Sequence, residues 1–312
     1  AARVQGQPFA AEDARQLLVG VAGLPVDRAL LAANGCRNAI TARPSFSTTR
    51  WRRRACCARA TPSPPTARAE GRGVGGRISI DGQPVPFRDG QTIIQAAAEA
   101  GIYIAHLCHH RDYAPHGSCR VCTVQVAGRF LPACTTAAAD GMAVENETGT
   151  LRHNRREILQ MLFVEGNHLC PGCQKSGDCQ LQAVAYHCGM VAPEFTHFYP
   201  DRRVDASHPE LVLDYNRCIL CELCVRASRE RDGKNVFSIG GRGIDAHLAV
   251  NSDSGLLGDS GIGAGDAALD VCPVGALMRR RGSFATPIGR RRYDGEPISV
   301  VDTRALREDD GA

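Results

Sequence analysis

Eleven of the fifteen cysteines in this 312-residue chain fall into three groups between Cys108 and Cys272. The first is Cys108, Cys119, Cys122 and Cys134, spaced C-x10-C-x2-C-x11-C; the second is His168, Cys170, Cys173 and Cys179, spaced H-x-C-x2-C-x5-C. The third is Cys218, Cys221, Cys224 and Cys272, spaced C-x2-C-x2-C-x47-C, with Pro273 directly behind. Thiolates are soft and anionic, so four that converge can hold iron and sulfide in a low-dielectric pocket. A chain that must close around three such points is loop-rich there, and the points form a row of redox centres. A disulfide framework predicts an even count in a short secreted chain, and neither holds. Structural zinc is the stronger rival, because it also uses C-x2-C pairs. Zinc sites usually join two such pairs, whereas Cys218, Cys221 and Cys224 come from one tight loop with a distant Cys-Pro as the fourth ligand. That arrangement suits a cuboidal four-iron cluster, which needs one ligand per corner.

Hydrophobic residues make up 43% of the chain and aromatic ones 5%. The core is thus thin in large side chains, and metal cross-links between loops would replace part of it. The best apolar run, residues 17–26, is too short for a membrane span and is broken by Gly20, Gly23 and Pro25. The expected location is cytoplasmic. Net charge divides unevenly: residues 1–75 hold 12 arginines against 4 acids, for +8, and residues 76–312 hold 25 basic against 29 acidic groups, for −4. The cysteine-bearing part offers no basic stripe for nucleic acid.

Residues 1–75 read as an Arg-, Pro- and Ser-rich, largely disordered arm, with short helices expected at 11–18 and 26–34. Its Arg- and Ser-rich, acid-poor stretch at 42–59 resembles an organelle transit peptide, which would place the protein in an organelle matrix. A fragment or a misplaced start accounts for the segment equally well. Cys36, Cys56 and Cys57 lie in it and are excluded as ligands.

From residue 76 the pattern is orderly. Residues 77–81 alternate as a strand, Asp81-Gly82 signals a hairpin turn, and 84–87 return. A helix is expected at 92–100, with Ile93, Ile94 and Ala97 on one face, and strands at 121–126 and 142–145. The class is α+β. Residues 76–152 suit a β-grasp ferredoxin domain with the first cysteine group after the helix, where Gly117 and residues 118–121 let amides approach sulfide. Residues 153–214 and 215–282 are two small loop-rich domains, and 283–312 a C-terminal tail. The second domain carries helices at 154–164, with Ile158, Met161 and Leu162 at helical spacing, and at 180–186. A short helix at 266–271 delivers Cys272, and Pro273 cannot continue it.

The stretches CRVCTVQV (119–126), CPGCQKSGDCQLQAV (170–184) and CPVGAL (272–277), in this order, resemble the N-terminal portion of the large iron–sulfur subunit of respiratory complex I. With the closing PIGRRRYD (287–294), they resemble still more the short diaphorase iron–sulfur subunit of bidirectional NAD-reducing [NiFe] hydrogenases. The resemblance covers residues 77 to about 294. It implies one [2Fe–2S] cluster on Cys108, Cys119, Cys122 and Cys134, and a [4Fe–4S] cluster on His168, Cys170, Cys173 and Cys179. It implies a second [4Fe–4S] cluster on Cys218, Cys221, Cys224 and Cys272. One departure stands out: complex I places three residues between the histidine and the first cysteine of the second group, and this chain places one. Cys188 reads as a small core residue.

The run Gly71–Gly76 fits G-x-G-x-x-G but precedes a strand instead of linking a strand to a helix, so it is not a dinucleotide site. No P-loop, [FeFe]-hydrogenase cysteine motif or molybdopterin domain follows, and no catalytic residue is assigned. The expected function is an electron-transfer subunit of an oxidoreductase complex. It would join an NADH-oxidising flavoprotein, which holds FMN and NAD, to the small and large subunits of a [NiFe] hydrogenase. The alternatives are the equivalent part of an NAD-dependent formate dehydrogenase, a complex I fragment, or a zinc-bound assembly scaffold.

Overall fold

The computed structural model describes residues 74–282 and 284–307. The arm of residues 1–75, with its two expected helices and Cys36, Cys56 and Cys57, lies outside the described residues except for Val74 and Gly75.

Strands β1 (Val74–Ile80) and β2 (Gln83–Arg88) form an antiparallel hairpin that pairs Ile80 with Gln83 and Ile78 with Val85. Asp81 (φ 48°) and Gly82 (φ 83°) are both left-handed, as a two-residue turn between twisted strands requires. The two-residue alternation buries Ile78, Ile80, Val85 and Phe87 on one face. β1 starts three residues before the expected strand, and the register shifts between Val74 and Gly76. The Asp140 carboxylate explains the extension: it accepts from the Arg77 N–H at 2.7 Å and lies where a Cβ on Gly76 would stand. Helix α1 (Ile93–Glu99) opens at Thr92, whose N–H donates to Gln95 Oε1 at 2.9 Å, and it packs Ile93, Ile94, Ala96 and Ala97 under the sheet.

Strands β3 (Thr123–Val126) and β4 (Arg129–Pro132) form a second hairpin through Ala127 (φ 48°) and Gly128 (φ 76°). β4 is an addition to the elements expected from the sequence pattern. With β5 (Ala143–Glu145) they complete a sheet of order β2-β1-β5-β3-β4, in which β5 runs parallel to β1 and the other neighbours are antiparallel.

Helix α2 (Gly149–Val164) begins five residues earlier than expected, because Thr148 Oγ1 accepts from the Leu151 N–H at 3.2 Å and caps it there. Its buried face is Leu151, Arg155, Leu159 and Phe163; Ile158 and Leu162 flank this face, and Met161, expected on it, is exposed. Arg155 is 1% exposed. It donates to the carbonyls of Val121 (3.2 Å) and Thr123 (3.1 Å) and to Asn146 Oδ1 (2.7 Å), and it pairs with Glu147 at 3.0 Å. One guanidinium thus fixes α2 to the loop that carries Cys119 and Cys122.

Beyond α3 (Gln180–His187) the chain forms β6 (Val204–Asp205), β7 (Leu211–Asp214), α4 (Leu223–Glu230), β8 (Phe237–Gly240), β9 (His247–Val250), α5 (Ala267–Asp270) and β10 (Leu277–Arg279). β10, β7 and β6 make an antiparallel sheet in that order, and β8 pairs with β9. The tail contains a helix, α6 (Ile298–Arg307), where the sequence pattern suggests none. Its Asp302 is 3% exposed and accepts from Gln180 Nε2, Arg292 Nη2 and Tyr293 Oη, each at 3.0 Å. Among the described residues, no helix is long and apolar enough to cross a membrane.

Replacing Arg155 with Met leaves two carbonyls, Asn146 and Glu147 without their partner, and breaking a buried pair of this kind costs about 3–5 kcal/mol. Urea unfolding should show a loss of that order relative to Arg152→Met, which removes an exposed neighbour that also pairs with Glu147. A loss equal to that of the control would mean that Arg155 does not hold α2 in place.

Candidate metal centres

The first group is built by the loop after α1 and by both ends of the β3–β4 hairpin. Cys108, Cys122 and Cys134 are buried and Cys119 is half-buried. The Ala133 N–H donates to the Cys122 carbonyl at 3.0 Å, which draws the two hairpin ends together. Arg120, between Cys119 and Cys122, takes the left-handed φ of 60°, a conformation that costs a non-glycine residue about 1–3 kcal/mol and turns the amides of its loop inward. The thiols of Cys119 and Cys134 hydrogen-bond to Cys108 and hold it well below the usual thiol range, helped by the Cys119 amide and the Ser118 hydroxyl. Cys134 likewise lowers Cys122. Cys119 and Cys134 are raised in return, first by these hydrogen bonds and then by burial. The four sulfurs therefore converge. Gly117 (φ 73°) turns against Thr135, beside Cys134, in the loop expected to bring amides near the sulfurs.

The third group starts in the loop between β7 and α4. Leu220 (φ 51°) and Glu222 (φ 59°) are both left-handed and alternate with Cys218, Cys221 and Cys224. The loop curls so that the amides of Leu220, Leu223 and Val225 point at the three sulfurs in turn and lower their thiols. Burial outweighs these donors: it pushes Cys218 up to about 11, and Cys221 and Cys224 higher still. Cys272 follows α5, and the Pro273 carbonyl accepts from the Gln180 N–H at 2.9 Å. Cys272 packs with Cys218, Cys221 and Cys224 in one apolar cluster, as the spacing leads one to expect.

The second group lies in a single tight turn at Cys170–Gly172 and at the start of α3, where Cys179 is the N-cap residue. Burial pushes Cys179 up to about 12 against the amides of Gln182 and Leu181, and raises Cys170 as well. His168 lies two residues before Cys170. Its Nε2 is buried with no hydrogen-bond partner, and its ring meets Phe163 edge-on at 5.3 Å. Burial, then Arg217 and Arg202, push its imidazolium down to about 4, so the ring is neutral at pH 7, the form that binds metal. Nε2 lies 2.7 Å from where a Cβ on Gly166 would stand. Cys188, packed in the core beside α3, is raised by burial, consistent with the core role expected for it.

The donor chemistry fits iron–sulfur groups on three observations: twelve soft or imidazole donors, an orphaned nitrogen at His168, and amides turned toward buried sulfurs. Among the described residues, no three His, Cys, Asp or Glu side chains stand in single-ion geometry. A cluster is wider than an ion, since its ligands bind different irons.

The groups adjoin in an order different from that of the sequence. Cys108 of the first shares an apolar cluster with Cys221 and Cys224 of the third. Cys218 and Cys272 of the third also pack in the cluster that holds Cys170 and Cys179 of the second. A Cβ on Gly275 would stand 3.3 Å from Cys173 Sγ, so this glycine leaves room for the chain after Cys272 to lie against the second group. The third group therefore adjoins both others, and Cys119 of the first also borders the cluster that holds Cys170 and Cys179. Sequence reasoning missed the residues at these junctions. Arg226 on α4 donates to the carbonyls of Cys108 (2.6 Å) and Cys221 (3.4 Å), and Arg217, paired with Asp214 at 2.9 Å, stands between the third and second groups. The one available signal was an arginine within the otherwise apolar run 223–227.

Family models match three consecutive stretches: a 2Fe-2S iron-sulfur cluster binding domain at 77–149, an NADH-ubiquinone oxidoreductase-G iron-sulfur binding region at 155–193 and a 4Fe-4S single cluster domain at 211–278. The gamma subunit of the NAD-reducing hydrogenase HoxS of Cupriavidus necator is 38% identical over 235 residues, which is 75% of this chain and 98% of that protein. The mitochondrial 78 kDa subunit of NADH-ubiquinone oxidoreductase of Candida albicans is 31% identical over 234 residues, which is 72% of this chain and 31% of that protein. A chain in the crystal structure of an NAD+-reducing [NiFe]-hydrogenase in the H2-reduced state superposes with a TM-score of 0.72 at 51% identity, covering 74% of this chain and 98% of that one. The chain belongs to the family of NAD-reducing hydrogenase gamma subunits, related to the 78 kDa subunits of NADH-ubiquinone oxidoreductase.

Proposed function

We propose that this chain is an electron-transfer subunit that carries single electrons between an NAD(H)-linked flavoprotein and a [NiFe] hydrogenase module. The observation that carries the reading is the adjacency of the three donor groups, with the third packed against both others. Residues 76–152, with their mixed five-stranded sheet and one helix, are read as a β-grasp holding one [2Fe–2S] cluster on Cys108, Cys119, Cys122 and Cys134. Residues 153–214 hold a [4Fe–4S] cluster on His168, Cys170, Cys173 and Cys179, and 215–282 hold another on Cys218, Cys221, Cys224 and Cys272. The tail from 283 docks α6 against α1 and α3.

Bound in these groups, the clusters would supply one-electron carriers at potentials set by ligand, charge, hydrogen bonding and burial. The chain's residues control those terms. Amides of Leu220, Leu223 and Val225 aimed at sulfur favour added negative charge, and burial opposes it. The flavin that exchanges hydride with NAD(H), and the nickel–iron centre, belong to the flavoprotein and to the small and large hydrogenase subunits. The reading puts the complex in the cytoplasm.

Anaerobically purified protein should hold about ten irons with matching sulfide, as two four-iron sites and one two-iron site require. Metal and sulfide analysis tests this; zinc without sulfide would replace the wire with a scaffold. His168→Ala should leave the other two sites loaded and alter only one paramagnetic signal of the reduced protein. An unaltered spectrum would remove His168 from the ligand set. Cys221→Ser substitutes a harder, far less acidic donor at the third group. In the assembled complex, NADH-linked hydrogen turnover should fall at least tenfold while NADH reduction of a dye through the flavoprotein persists. An unimpaired relay would contradict the part given to this group.

A further inference from the structure

Arg226 is 4% exposed. Its Nη2 donates to the carbonyls of Cys108 (2.6 Å) and Cys221 (3.4 Å), its Nη1 to that of Ala114 (2.7 Å) and its Nε to that of Glu222 (3.4 Å). All four acceptors are main-chain oxygens. Two other arginines near the donor groups have anions, Arg155 with Glu147 and Arg217 with Asp214, whereas Arg202 near Cys218 also has a main-chain partner. The Glu222 carboxylate is turned away to His116 at 3.0 Å, and no carboxylate among the described residues lies within ion-pair distance of Arg226. A buried cation with only neutral partners is expensive, because Coulomb attraction does not offset its lost hydration. The expense falls if negative charge is delivered on either side of it. The carbonyls it grips belong to one ligand of the first group and one of the third. Sites with four thiolate ligands are anionic and gain a further charge on reduction.

We infer that Arg226 is the counter-charge shared by the first and third cluster sites, and that it raises the reduction potential of both. This rests on the proposed reading of those groups as cluster sites. Arg226 binds no substrate and is a positioning residue for charge. A cation beside a centre favours its reduced state more than its oxidised state, since the reduced state is the more negative. One guanidinium within reach of two centres moves both in the same direction. It therefore moves the two together relative to the second site, beside which Arg217 is paired with Asp214.

The test is a dye-mediated redox titration of the assembled complex, followed by paramagnetic resonance, for wild type, Arg226→Gln and Arg226→Lys. The Gln variant keeps donors and loses the charge; the Lys variant keeps the charge. In Arg226→Gln the reduced-to-oxidised ratio at a fixed potential should fall about tenfold at both the first and third sites, or about 59 mV for a one-electron centre. The second site should not move, and Arg226→Lys should stay close to wild type. A Gln variant with full iron content and unchanged midpoints, or an equal displacement of all three, would overturn the inference. Should the Gln variant fail to load, Ala114→Asp takes its place: Ala114 is exposed, its carbonyl accepts from Nη1 at 2.7 Å, and a carboxylate there adds negative charge close to the guanidinium without removing it. Unchanged first and third midpoints in that variant would overturn the inference equally. Wild-type protein without iron and sulfide would instead defeat the cluster reading itself.

Discussion

A chain that must surround four sulfur donors cannot fill the same space with apolar side chains, and this constraint governs the rest of the architecture. The described residues divide their apolar packing into three clusters, each bordering a cysteine group instead of enclosing a common centre. The loops that reach the sulfurs are held by other means. Left-handed Arg120, Leu220 and Glu222 bend them, and buried guanidinium groups tie their carbonyls to helices. Each left-handed residue is a local cost of about 1–3 kcal/mol, tolerated because the surroundings over-determine the turn. The three lie between ligand positions, where amides must face inward.

The buried arginines divide this work. Arg155 satisfies two carbonyls, an amide oxygen and a carboxylate, so it has the partners a buried charge requires. It joins α2 to the first group's hairpin. Arg226 joins α4 to the loop of Cys108 and has carbonyl partners alone. Both act across sequence separations of more than thirty residues, and both connect parts that a reading by spacing treats as separate domains.

Features with short-range causes were legible in the sequence. Asp81-Gly82 specified its hairpin because both residues accept positive φ, and Thr92 marked the start of α1. The ligand groups were visible because C-x2-C spacing is itself the geometry of a turn. Hydrophobic periodicity strengthens only from residue 154, whereas the cap that decides the start of α2 is Thr148. Strands β6 to β10 are two to four residues long, too short for alternation to register. β7 and β10 depend on pairing Leu213 with Leu277. Helix α6 depends on Asp302 meeting Gln180, 122 positions earlier. Such contacts have no local signature, and the junction arginines escaped for the same reason.

The contact of the third group with both others bears on how the protein is made. Domains emerge from the ribosome N-terminus first, at about 5–20 residues per second. The loop at Cys218 emerges after both other groups, and Cys272 later still, so the group that packs against both others is completed last. On the proposed ligand assignment, a chain that ends before Cys272 lacks a donor of its third group and cannot join the other two through it.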